Sequence, residues 1–304
     1  MYLPWRVALM IVGLLFAPGS LPAQPAAQRE FVQVQTDDSV ALSGAVWTPA
    51  GRSRPMAVVL TGGTGSEFYD YTRWAELFAG AGYPTVALNR RDHGASFGEE
   101  PFEPSALDLR YAIDLAVRRG ATRVVLVGHS YGTVTASYYL VTARDKRVVA
   151  AILLAPLADL RAATARILGQ DAYDEAVKVA RQMVAEGKGQ QTYVMPSSPG
   201  RVAQPSLISY AVFLNKRGPQ ARTAPAELLQ TADVPILAVR DPADPLPGTL
   251  PPAQQQLEAA TPRLEYILLP DTHAGRSDPR AHEFVGRESE LFTLMLDWIA
   301  KHGQ

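Results

Sequence analysis

The chain of 304 residues contains no cysteine. That absence excludes disulfide staples, a thiolate nucleophile and a cysteine-linked lipid anchor, so the fold must be held by packing. Charge of either sign is not in excess: 29 Lys and Arg face 30 Asp and Glu, for a formal net charge of −1. The sequence therefore carries no electrostatic case for a nucleic-acid partner or an anionic membrane surface. Histidine is scarce too, with His93, His129, His273, His282 and His302 as the full set. None has the His-Glu-x-x-His spacing and cysteine offers no help, so neither a metal site nor a cofactor is expected. A run of apolar residues long enough to span a bilayer is also missing, since the stretch 7–16 stops well short of the ~20 residues required.

Residues 1–23 nevertheless differ in kind from the rest. Arg6 precedes the apolar stretch 7–16, Pro18 and Gly19 break it, and Leu21-Pro22-Ala23 offers a small residue for cleavage. This pattern predicts a secretory signal peptide over 1–23, with Ala27 as a second candidate end after Pro25-Ala26. The expected location is then periplasmic or secreted, with no stable membrane anchor left after cleavage. Loss of Arg6 would take the formal charge from −1 to −2.

With 47% hydrophobic residues the remainder has ample material for a core. The pattern predicts a hairpin over 30–36 and 41–48, then a continuous apolar strand at 56–60 of the kind buried on both faces in a parallel sheet. Helix and strand alternate from there. Helices are expected at 71–80, 104–119 and 133–143, and strands at 84–88, 123–127 and 148–154. The alternation pauses between 158 and 233, where helical stretches at 174–186 and 207–215 flank a Ser/Pro/Gly-rich loop at 196–205. It resumes with strands at 235–239 and 264–269 and helices at 252–260 and 283–301. The expected architecture is one α/β domain over 29–304, with a mostly parallel doubly wound sheet and a helical cap or lid inserted at about 159–232.

One motif carries chemistry. The strand Val124-Val125-Leu126-Val127 runs into Gly128-His129-Ser130-Tyr131-Gly132 and directly into a helix. A serine hydroxyl is a weak nucleophile at neutral pH, so it needs a base in reach and a position projecting clear of the backbone. A sharp strand-to-helix turn supplies the second requirement, with glycines where the turn crowds its neighbours. Ser130 is the expected nucleophile.

These residues resemble the α/β-hydrolase superfamily across nearly the whole mature chain. The resemblance implies a triad in the chain order nucleophile, acid, histidine. Asp241-Pro242-Ala243-Asp244-Pro245-Leu246 is similar to the family's acid loop with the acid at Asp244, although Asp241 or, more distantly, Asp159 could serve. Leu269-Pro270-Asp271-Thr272-His273 is similar to the loop carrying the histidine, which makes His273 the expected base. His282-Glu283 reads instead as the charged start of the last helix. The family's oxyanion hole implies backbone amides at Tyr131 and, in Thr61-Gly62-Gly63-Thr64-Gly65-Ser66, at Gly63; Thr61 stands where the family commonly has histidine. The segment 89–96 resembles a structural loop packed beneath the active site, so His93 is not expected to act.

The resemblance implies a serine hydrolase acting on a small-molecule acyl substrate. Ester hydrolysis is the least demanding use of such a site, because an alkoxide leaves with less help than an amine. Aminopeptidase, amidase, thioesterase, acyltransferase or peroxidase-type chemistry could use the same residues, and an exported binding protein with a relic triad is the non-enzymatic alternative. Dehalogenase and epoxide hydrolase chemistry would want a carboxylate at position 130. Substrate contacts are expected from the cap and from Phe68, Tyr69 and Tyr71, with core packing as the alternative for the three aromatics.

Overall fold

Apolar runs buried on both faces arrange themselves into a single sheet here. A computed structural model describes residues 27–91, 93, 101–195, 206–246 and 251–303. The expected signal peptide at 1–23 and the loop 196–205 lie outside the described residues; among those described, no helix is long and apolar enough to cross a membrane.

The strands are β1 (Gln28–Gln35), β2 (Ala41–Thr48), β3 (Met56–Thr61), β4 (Thr85–Leu88), β5 (Arg123–His129), β6 (Val148–Leu154), β9 (Ile236–Arg240) and β10 (Leu264–Leu268), with a separate hairpin of β7 (Thr192–Met195) and β8 (Ser206–Ser209). Eight of them form one sheet in the order β1-β2-β4-β3-β5-β6-β9-β10. β1 and β2 pair antiparallel and β2 meets β4 antiparallel, while every pairing from β4 to β10 is parallel.

Alternate residues of the central strands feed two separate cores, which is why those strands read as unbroken apolar runs. Met56, Val58, Leu60, Val125 and Val127 face α1 (Thr72–Gly80) and α10 (Glu288–His302), packing on Phe78, Met295 and Trp298. Ala57, Val59, Val124 and Leu126 face the other way, toward α3 (Leu109–Arg118), α4 (Tyr131–Ala143) and α9 (Pro251–Ala260). Leu126 is fully buried, so Leu126→Ala would cost about 2–5 kcal/mol in lost transfer energy and cavity.

Between β6 and β9 lie α5 (Leu160–Leu168), α6 (Gln170–Ala185), the β7–β8 hairpin, α7 (Tyr210–Arg217) and α8 (Pro225–Leu228). Tyr173, Ala176, Val177, Ala180 and Phe213 give this section a small core of its own. A second cluster joins it to the sheet domain: Leu160 and Ala163 pack with Tyr131, Val134 and Tyr138 of α4 and with Phe102 of α2 (Phe102–Leu107).

Three helices differ from the sequence pattern: the first residues of the expected stretch 207–215 pair instead in strand β8, so that α7 begins only at Tyr210. The expected helix 104–119 is broken at Asp108, which closes α2 and opens α3 while its carboxylate takes both Nε and Nη2 of buried Arg91, at 2.7 and 2.8 Å. The expected helix 283–301 starts only at Glu288. Before it come a 3-10 turn over Pro279–Glu283 and left-handed backbone at Phe284 (φ 53) and Gly286 (φ 81), which no α-helix continues through. Burial of the Phe284 ring against Trp74 holds that break in place.

Because the parallel strands are in register, the loops after β3, β5, β9 and β10 leave from one edge of the sheet. Thr61 pairs with Gly128, Leu154 lies opposite His129 and Val239, and Leu268 pairs with Arg240. Crevices at that carboxyl edge are where open α/β sheets take their ligands.

Candidate active site

Ser130 stands at the turn between β5 and α4 with φ 54 and ψ −120, left-handed backbone at a residue that is not glycine. Such a conformation costs on the order of 1–3 kcal/mol and persists where the surroundings impose it. Here they do: the Ser130 amide donates to the Leu154 carbonyl at 2.9 Å, and its carbonyl accepts from the Thr133 amide at 2.9 Å and the Thr133 hydroxyl at 2.6 Å. Both elbow glycines are sterically required. A Cβ on Gly128 would lie 2.4 Å from the Gly132 carbonyl oxygen, and one on Gly132 would lie 2.2 Å from that of Thr61.

Three acids were open as partner of a histidine, and the structure separates them. Asp159 caps α5 through the amides of Arg161 and Ala162 and pairs with the Arg161 side chain. Asp241 accepts the Ala243 amide at 2.9 Å and the buried Arg287 guanidinium at 3.1 Å. Asp244 reaches a histidine: its Oδ2 lies 2.9 Å from Nδ1 of His282, while its Oδ1 accepts the Leu246 amide at 2.8 Å.

That histidine is not the one the loop pattern indicated. His273 directs Nε2 toward Asp278 Oδ2 at 3.4 Å and has Thr272 Oγ1 3.3 Å from Nδ1, with 31% of its side chain exposed. The turn around it is organised by Asp271, whose carboxylate accepts the amides of His273 and Gly275 at 2.8 and 2.7 Å. His282, with 14% of its side chain exposed, lies in the 3-10 turn before α10. An ionised carboxylate only accepts, so the contact with Asp244 puts the His282 proton on Nδ1 and leaves a lone pair on Nε2. The reading of His282-Glu283 as a helix start is corrected accordingly, because the left-handed backbone at Phe284 ends that turn.

Gly63 sits where a Cβ would stand 3.2 Å from Ser130 Cβ and 3.6 Å from its Oγ, so this loop does line the nucleophile. Its amide, however, donates to the Tyr71 hydroxyl at 2.8 Å. The expectation that this N–H points at an oxyanion is therefore corrected: it points at a phenol in the core. Tyr131, first residue of α4, has its amide outside the helix's own ladder.

The three aromatics part company. Tyr71 is buried, and burial pushes its hydroxyl up to about 12 against the opposing pull of Ser66 and the Gly63 amide. Phe68 is half-buried against the rings of Phe31 and Tyr69, and Tyr69 is exposed.

Several contributing residues were not singled out by the sequence. Arg90 donates from Nη1 to the carbonyls of Gly62 and Gly63 at 2.9 and 2.8 Å and lies over the Tyr131 ring, so it ties the β3 loop to the elbow. Asn89 accepts the Phe68 amide at 2.7 Å and donates to Glu67, which is the supporting role expected of segment 89–96. Asp92 and residues 94–96 lie outside the described residues. The ring of His129, fully buried, contacts Trp74, Tyr71 and His282. Position alone could have flagged it, since it immediately precedes the elbow serine.

His129, His282 and Glu283 bring nitrogen and oxygen atoms within 4.8 Å of one another, a spacing that could hold a cation. Both His129 ring nitrogens already have partners, Nδ1 at Tyr71 Oη (3.0 Å) and Nε2 at the His282 carbonyl (2.9 Å). An ion there would have to break one of those bonds.

A strained serine between a parallel strand and a helix, with a half-buried histidine on a fully buried carboxylate in the loops that leave the same sheet edge, places the chain in a known class. It belongs to the alpha/beta hydrolase family, whose model matches residues 57–287, and it is an enzyme of that kind. Solved structures agree on the fold. A thermostable carboxyl esterase from Bacillus coagulans superposes with a TM-score of 0.67 at 15% identity, covering 90% of this chain and 98% of that one. An esterase from Pyrococcus furiosus gives 0.61 at 16% identity, with 91% of each chain covered. An acylaminoacyl peptidase from Pyrococcus horikoshii gives 0.56 at 15% identity, and there the match spans only 42% of the longer chain. No curated protein matches the chain.

Proposed function

We propose that this hydrolase cleaves a carboxylic ester through an acyl-enzyme, with Ser130 as nucleophile, His282 as general base and Asp244 as the carboxylate that orients it. The observation that carries the reading is the 2.9 Å contact between His282 Nδ1 and fully buried Asp244. His282 thereby takes the role that the sequence pattern assigned to His273. A base needs an acid behind it that fixes tautomer and ring and stabilises the imidazolium that forms. Asp244 can do this from low-dielectric surroundings. Asp278, which faces His273, is instead shared with Arg280, whose guanidinium and amide hold its carboxyl down at about 2.

The reaction then follows from the donors and acceptors. His282 Nε2 takes the proton of Ser130 Oγ as that oxygen bonds to the ester carbonyl carbon and the carbonyl π pair moves onto its oxygen. Collapse of the tetrahedral adduct breaks the carbon–alkoxide bond, and the alkoxide leaves with the proton from Nε2. Water repeats the sequence on the acyl-serine. For the oxyanion, the proposed donors are the amides of Tyr131 and Thr64. The second replaces Gly63, one residue earlier, whose N–H is engaged by Tyr71. The cap helices meet the elbow through the cluster around Tyr131, and this supports a role for residues 159–232 in shaping the acyl pocket.

The test is a p-nitrophenyl ester panel from short to long acyl chains, with aminoacyl anilides in parallel, on wild type, Ser130→Ala, His282→Ala and His273→Ala. Fluorophosphonate labelling of wild type and loss of turnover in the first two variants support the proposal. An unlabelled wild type favours a binding protein, and faster anilide turnover favours an amidase. The sequence pattern of residues 1–23 supports export of the enzyme, and fractionation of cells expressing the full chain tests that separately.

A further inference from the structure

The elbow histidine and the buried tyrosine have no part in the proposed proton transfers, yet each places polar atoms in the core. A buried polar side chain is costly unless its hydrogen bonds are made. All of theirs are made: the Ser66 hydroxyl meets Tyr71 Oη from the side and can donate to it, and the bonds that link the two loops run in one direction. At one end stands the His282 carbonyl, an acceptor 2.9 Å from His129 Nε2, so that nitrogen carries the proton. His129 Nδ1 is then a lone pair in the neutral ring, and the Tyr71 hydroxyl 3.0 Å away must donate to it. At the other end stands the Gly63 amide, which can only donate, and it does so to Tyr71 Oη at 2.8 Å. The orders deduced from the two ends agree.

We propose that His129 and Tyr71 are positioning residues that lock the loop carrying His282 to the loop carrying Gly63 through one directional chain of hydrogen bonds, setting base and oxyanion loop in register across the nucleophile. The inference rests on His282 being the base. The chain runs from Gly63 N–H through Tyr71 O–H to His129 Nδ1, and from His129 Nε2–H to the His282 carbonyl. Its contacts are close on every side. A Cβ on Gly62 would fall 2.6 Å from Tyr71 Cε2, and Trp74 meets both the His129 and Tyr71 rings edge-on with centroids 5.6 and 5.5 Å away. Neither loop can shift without breaking the chain, and the two loops flank the serine that lies next to His129 in sequence. Catalytic groups held this way are sensitive to displacement, since a 1 Å misplacement can cost on the order of 100-fold in rate.

The experiment is a double-mutant cycle on ester turnover with Tyr71→Phe and His129→Gln, joined to nitrogen-15 NMR of histidine-labelled full chain. The glutamine amide can still donate to the His282 carbonyl but gives Tyr71 no ring nitrogen. Each single variant should lose roughly 10- to 100-fold in kcat with little change in KM. The double variant should lose no more than the worse single, because either change breaks the same chain. Losses that simply multiply, or that fall on KM alone, would overturn the proposal. In wild type the His129 signals should show the neutral ring protonated on Nε2; protonation on Nδ1 would overturn it even if the variants failed to fold. His282→Ala keeps the carbonyl that anchors the chain, so the His129 tautomer should survive there. Turnover surviving in that variant would sink the base assignment, whereas a changed tautomer would sink the chain.

Discussion

The loop between β10 and α10 holds two histidines, each facing a carboxylate, and the pairs could hardly be less alike. His273 and Asp278 lie 3.4 Å apart with 31% and 17% of their side chains exposed, and Arg280 competes for the acid. His282 and Asp244 lie 2.9 Å apart with 14% and 0% exposed. In water an ion pair of the first kind is screened and contributes little, and its geometry is free to drift. In the second, the carboxylate is already desolvated and held by the Leu246 amide, so its orientation does not have to be set anew when charge develops on the imidazole. The proposed base is the histidine with a fixed acid in a dry place, not merely one with an acid nearby.

The sharpest way to break this comparison is to delete each partner. Ser130→Ala and His282→Ala should each lower kcat for an activated ester by about 10³- to 10⁶-fold, while His273→Ala retains most activity. A larger loss from His273→Ala would reverse the assignment. The acids should separate next, in kind as well as in size. Asp244→Asn should cost about 10⁴-fold in kcat through the wrong histidine tautomer. Asp241→Asn leaves buried Arg287 without its partner at position 241, and should lower unfolding free energy by about 3 kcal/mol, read from the urea midpoint.

A smaller effect tests the oxyanion donor. Gly63 and Ser66 close a turn, with the Ser66 amide on the Gly63 carbonyl at 3.3 Å and Gly65 at φ 75, so Thr64 occupies a position where proline is favoured. Thr64→Pro removes that amide proton while suiting the turn, and should cost about 100-fold in kcat with an unchanged thermal midpoint. If turnover is unaffected, the donor lies elsewhere in the loop.

The smallest effect concerns pH. Burial holds the His129 ring below its ordinary 6.5, with Glu283 and the His282 carbonyl opposing and the His282 ring adding to the shift. The unfolded chain therefore binds a proton that the folded chain refuses. Stability is full above about 6.5 and declines as pH falls below it. His129→Gln, which has nothing to protonate, should flatten that acid decline in a pH series of denaturation midpoints.

Much of this was legible in the residues. The alternation of apolar strands with helices gave the sheet domain, and glycines flanking a serine after Val124-Val125-Leu126-Val127 gave the elbow, because both depend on near neighbours in the chain. Of the acids the loop pattern offered, Asp244 is the one that meets a histidine. The identity of that histidine was not legible. Between Leu268 and Glu288 the chain takes a turn around Asp271, a 3-10 turn capped by Asp278, and left-handed backbone at Phe284, and no periodicity reports which side chain such a path aims inward. The availability of the Gly63 amide was hidden for the same reason, since its acceptor on Tyr71 lies outside its own loop.

The sequence by itself determined a parallel sheet with two cores, an elbow serine, and an acid and histidines in loops leaving one edge, because hydrophobic period and turn chemistry are local properties. Only the tertiary structure decided that Asp244 faces His282, that Asp241 serves Arg287, and that Tyr71 lies under the Gly63 loop. Those choices depend on which buried donor meets which buried acceptor once the packed interior has excluded water.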